Sequence, residues 1–145
     1  MVAAVLALSA LLLGVSLLRE ESGTAVAWRD LTSQVGPLRI VRSERRLFHD
    51  HAELAEYMTE AKASRPAPTV DFSTRQLLLV SPGPRSGTGY SVEVLSAREQ
   101  GAEIVVRVRE RTPALGQAVE PRVTYPYRLI SLPAGKDVEV DWVGR

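Results

Sequence analysis

The chain has 145 residues, enough for one domain behind a leading apolar segment. Its 18 Lys plus Arg stand against 17 Asp plus Glu, and a net charge of +1 creates no field that would gather a nucleic acid. The absence of cysteine excludes disulfides, thiol catalysis, thiolate metal sites and the acylated cysteine of a bacterial lipoprotein.

Residues 2–18 carry no charge, and only Ser9, Gly14 and Ser16 interrupt them with weak polarity. As a helix this run reaches about 25 Å, slightly short of a bilayer core of about 30 Å. It has no polar face to present to water, so a hydrophobic N-terminal helix is expected. Residues 1–27 are therefore assigned as a signal peptide or a membrane anchor. Ala25, Val26 and Ala27 ahead of Trp28 have the small-x-small character of a cleavage site, and both alternatives stay open. Either one places residues 28–145 in the cell envelope, secreted or membrane-anchored and facing outside the cytoplasm.

After the Gly36-Pro37 turn signal, Leu38, Ile40 and their neighbours through Arg42 predict a strand. Asp50 reads as a helix N-cap with Glu53 closing a capping box, and Leu54, Tyr57, Met58 and Ala61 fall on one helical face opposite Glu53, Glu56 and Glu60. Two prolines, Pro66 and Pro68, end that helix. The consecutive run from Gln76 to Val80 predicts a strand covered on both faces.

Alternation then takes over. Tyr90, Val92 and Val94 share a face, as do Ile104, Val106 and Val108, giving two half-buried strands joined by a turn over 97–101. Val123, Tyr125, Tyr127 and Leu129 predict a further strand, at an edge or bulged because Pro126 lacks a donor. Val138, Val140 and Trp142 predict the last one. The fold class expected is mainly β (α+β), an antiparallel sheet or sandwich with one packed helix.

Successive antiparallel strands leave a sheet at alternate ends. The Gly- and Pro-rich connections 81–89 and 111–121 are thereby expected at one pole, and the shorter connections 97–101 and 133–136 at the other. Extended loops on a rigid scaffold are common binding surfaces, so Arg85, Ser86, Gly87, Thr88, Gly89 and Tyr90 are the candidate partner-binding residues.

Catalytic chemistry finds no foothold. His49 and His51 are the two histidines and read as an exposed helix entrance, since no third metal ligand accompanies them. No Gly-x-Ser-x-Gly elbow is present, and Asp71, between the Pro-rich stretch and a strand, reads as a turn cap. The segment from Pro82 to Gly89 lacks the Gly-Lys-Ser/Thr ending of a phosphate loop and leads into a strand pattern. No catalytic residue, metal or cofactor is expected.

The order of these features resembles the C-terminal domain of the protease complex subunit PrcB family. The resemblance rests on the helix followed by Pro66-Ala67-Pro68 and Val70-Asp71-Phe72, the apolar strand, and the loop ending in Gly89-Tyr90-Ser91-Val92. It continues through Glu110-Arg111-Thr112-Pro113 and Val123-Thr124-Tyr125-Pro126-Tyr127. The family pattern reads Thr-Gly-Gly-Tyr where this chain has Gly87-Thr88-Gly89-Tyr90. A shorter likeness joins Thr88-Gly89-Tyr90 to the Thr-Thr-Gly-Tyr/Phe loop of chagasin-like protease inhibitors.

The PrcB resemblance implies an envelope protein associated with an extracellular protease complex. The expected function is an exported, non-catalytic protein-binding module, an accessory or inhibitor-like factor whose partner is a protein such as a protease. The alternative is a structural envelope domain with no protease link.

Overall fold

A computed structural model describes residues 22–144. The hydrophobic segment 2–18 expected as a helix lies outside the described residues. Among the described residues no helix is long and apolar enough to cross a membrane.

Consecutive residues of one strand face two different cores. In β4 (Arg75–Ser81), Leu77 and Leu79 join one apolar cluster while Leu78 and Val80 join another, and all four are at most 1% exposed. An unbroken apolar run therefore marks a strand in the middle layer of three.

That middle layer is a four-stranded antiparallel sheet in the order β2 (Arg29–Asp30), β7 (Arg128–Pro133), β4 and β3 (Glu44–Phe48). On one side it carries α2 (His51–Glu60) and the single turn α1 (Thr32–Val35). Leu54, Tyr57 and Met58 of α2 bury against Phe48, Leu77, Leu79 and Leu129. Helix α2 starts as expected: the Asp50 carboxylate accepts the Glu53 amide at 2.8 Å. The Glu53 carboxylate returns the bond to the His49 amide at 3.0 Å, one residue earlier than a standard capping box.

The other side of the middle layer meets a second sheet, ordered β1 (Thr24–Ala25), β5 (Ser91–Gln100), β6 (Glu103–Arg111) and β8 (Asp137–Trp142). Val92, Ala97, Ile104, Val106, Val108 and Val138 from this sheet bury against Leu78, Val80, Ile130 and Leu132. The protein is mainly β, with the helix on one outer face.

Several sequence expectations need correction. The stretch 38–42 buries Leu38 and Ile40 but forms no strand; it lies beside the end of α2, with the Arg39 amide bonded to the Ala61 carbonyl at 2.7 Å. The strand expected from Val123 begins instead at Arg128, and Pro126 stays outside the ladder. That strand, β7, is interior, between β2 and β4. The turn placed at 97–101 narrows to Gly101 and Ala102, and Ala97 is buried inside β5. A register shift between Val94 and Ser96 exposes Leu95 and resets the alternation.

The second sheet is also mixed, because β8 pairs with β6 in parallel. The chain leaves β7 in one sheet and enters β8 in the other, so sequence neighbours are not ladder neighbours. The ordered fold reaches upstream of residue 28. Thr24 and Ala25 pair with Glu99 and Arg98, Val26 packs against the intersheet core, and the Val26 amide bonds the Ala97 carbonyl at 3.1 Å.

Candidate partner-binding pole

Direction reverses at each strand from β3 to β8, which places their connections alternately, whichever sheet each strand joins. The crossovers 82–90 and 112–127 therefore meet at one pole, although β4 and β5 are not paired. At the opposite pole the Lys136 ammonium donates to the Gly101 carbonyl at 2.9 Å and pairs with Glu99 at 2.6 Å, holding the two short turns together.

The two long loops are locked to each other. Arg85 and Thr124 exchange backbone hydrogen bonds, each at 2.9 Å. The Thr124 hydroxyl donates to the Gly87 carbonyl at 2.7 Å. The Thr88 amide donates to the Glu120 carbonyl at 3.1 Å, and the Glu120 amide donates to the Thr88 hydroxyl at 3.0 Å. At the base, the buried Ser81 hydroxyl donates to the Pro126 carbonyl at 2.8 Å and accepts the Gly83 amide at 3.1 Å.

Arg85 closes the network through its side chain. Its guanidinium contacts Glu110 at two points, 2.5 and 2.8 Å, and also donates to the carbonyls of Pro82 and Pro84. The hydrogen bond to Glu110 strengthens the arginine's hold on its proton. Gly87 is buried where a Cβ would lie 2.8 Å from the Val119 side chain. Gly89 adopts φ +91° in the left-handed region against Pro113, which is why glycine precedes Tyr90.

The six candidate residues thus divide. Ser86 and Gly89 are exposed, whereas Arg85, Gly87 and Thr88 hold the second loop in place. Tyr90 is half-buried in a recess of about 290 Å³ that it shares with Pro37, Tyr125, Pro126, Tyr127 and Arg128.

The outer surface of the pole comes mostly from the second loop. Of the six large apolar side chains exposed among the described residues, three lie there: Leu115, Val119 and Val123. Leu115 is fully exposed, at 107%. From sequence, Leu115 and Val119 fall in the 111–121 connection without being singled out, and Val123 is assigned to a strand; large apolar side chains in a Pro- and Gly-containing connection are the signal that points to the first two.

Other expected features sit away from the pole. Asp71 caps a turn, accepting the Ser73 amide at 3.1 Å and the Ser73 hydroxyl at 2.5 Å, and these bonds hold its carboxyl below the usual range. His49 and His51 are exposed at the entrance to α2. Among the described residues no group of three or more His, Asp or Glu is placed to hold a metal ion.

Comparison with curated proteins finds no match, and comparison with solved structures likewise finds none. Residues 77–133 match the family model described as PrcB C-terminal, a stretch that runs from β4 to β7 and contains both loops of the pole. Over residues 77–133 the chain is thus similar to the PrcB C-terminal family.

Proposed function

We propose that the protein is an exported, non-catalytic binding module, an accessory factor of an extracytoplasmic protease complex, which engages its protein partner through the pole formed by 82–90 and 112–127. The observation that carries this reading is the concentration of Leu115, Val119 and Val123 on one braced loop. Exposed apolar side chains on a rigid support bury area on binding with little further loss of conformational freedom. The family resemblance supplies the protease link.

The order of the chain supports a tethered arrangement. The described fold begins at Ser22, beside Glu99 and Gln100 on the pole of the short turns, where Gln100 donates to the Ser22 carbonyl at 2.9 Å. A membrane segment preceding Ser22 would hold the long loops outward. Cleavage after Ala27 would remove β1 and Val26 from the packed structure, which favours retention of the segment.

Affinity capture from envelope extracts tests this reading. Wild-type protein is expected to retain a protease-complex component that a folded Leu115→Ser/Val123→Ser variant loses. Identical partner sets for the two proteins would overturn it.

A further inference from the structure

A second surface lies beside the loop pole. Residues 39–42 run past the end of α2 and lead into β3, forming with them a recess of about 190 Å³ lined by Arg39, Arg42, Arg46, Tyr57, Glu44 and Glu60. Ile40, 2% exposed, pins the segment to the core, while Arg39, Val41 and Arg42 remain exposed.

The three arginines differ from seven other cations among the described residues. Arg85, Arg107, Arg109, Arg111, Arg122, Arg128 and Lys136 each meet a carboxylate. Among the described residues Arg39, Arg42 and Arg46 have neither a carboxylate nor a carbonyl partner for their guanidiniums. Arg46 is held in place by aromatic faces, its guanidinium carbon 5.0 Å from the Tyr57 ring centre and 5.6 Å from that of Phe48. Glu44, the nearest acid in the sequence, instead accepts the Tyr57 hydroxyl at 2.8 Å. Three planar donor groups without a carboxylate or carbonyl acceptor from the described residues thus surround one small concavity.

We infer that this recess binds a carboxylate side chain of an acidic segment in a protein partner, held between Arg39, Arg42 and Arg46. Guanidinium forks match a carboxylate in two-point geometry, and Val41, 65% exposed at the rim, provides apolar contact for the adjoining residue. Glu44 and Glu60 at the margin oppose a continuous anionic membrane surface and admit a discrete carboxylate. The recess also lies at the long-loop end of β3, where Glu44 pairs with Ser81 and Ser43 abuts Gly83, away from the pole at which the described chain begins.

The test uses the full chain in neutral detergent, titrated with a short acetylated and amidated oligoglutamate peptide and followed by calorimetry and amide chemical shifts. Saturable binding with shifts at residues 39–46 and Tyr57 is expected, weakened about tenfold or more in Arg39→Gln/Arg42→Gln. Both substituted side chains are exposed and unbonded, so the variant should melt with the wild type. The Leu115→Ser/Val123→Ser variant should bind the peptide normally, which separates this inference from the loop reading. Absence of saturable binding, equal affinity in the arginine variant, or arginine-dependent binding to phosphatidylglycerol-containing vesicles instead of the peptide would overturn it.

Discussion

The guanidinium of Arg85 lies on the carboxylate of Glu110 in a two-point contact that ties the first long loop to the end of β6. The side chains are 25% and 14% exposed, so the pair is partly shielded from solvent and its attraction is only partly screened. Arg85→Ala should lower stability by about 1–2 kcal/mol. A double-mutant cycle with Glu110→Ala, read by urea unfolding, should show that the two substitutions are not additive.

Glycine is required in the two long loops for two separate reasons, and a comparison distinguishes them. Gly83 has φ +89°, and a Cβ there would lie 2.9 Å from the Ser43 amide nitrogen; Gly116 has φ +82° with open space around it. Gly116→Ala should cost about 1 kcal/mol from conformation alone. Gly83→Ala should cost about 3 kcal/mol, because backbone must also move. Thermal melts of the two variants decide the point.

Gln76 is a polar residue within the apolar strand, 1% exposed, and its side-chain amide donates to the carbonyls of Pro133 at 2.9 Å and Lys136 at 2.8 Å. It fastens the crossing between the sheets. Gln76→Leu keeps the volume and should cost about 1–2 kcal/mol, whereas Gln76→Ala adds a cavity and should cost about 3 kcal/mol. Denaturant midpoints of the two variants separate hydrogen bonding from packing.

Tyr127 donates to the Gly36 and Thr32 carbonyls from a buried site. Burial, with the charge of Asp30 second, pushes its hydroxyl up to about 12, above the ordinary tyrosine value of about 10. The folded state therefore holds this proton more tightly than the unfolded chain. Its contribution to stability is complete below about pH 10 and is lost as pH rises through about 12. Tyr127→Phe should remove that part of the alkaline decline in urea midpoints.

Local signals in the sequence translated directly into structure where a residue's neighbours along the chain determine its role. Asp50 and Glu53 define the start of α2, and Leu54, Tyr57 and Met58 its buried face. The run from Leu77 to Val80 gives a strand buried on both faces, and Ile104, Val106 and Val108 are fully buried as their alternation predicts. Alternation reports a face and not a partner, however, so the division of β4 to β8 between two sheets was not legible. It also misleads where buried positions belong to extended chain without a ladder, as at Leu38 and Ile40. The pole was legible because it depends on strand direction alone. The role of Arg85 was not, since its partner Glu110 lies 25 positions away and no local pattern joins them.

The central claim, that the long-loop pole is the partner surface, is tested most directly by site-specific photo-crosslinking in the native envelope. A photoreactive residue at Leu115 should form a discrete adduct with a protease-complex component, and one at Gly135, on the opposite pole, should form none. Adducts from Gly135 with none from Leu115, or the same adducts from both positions, would contradict the account.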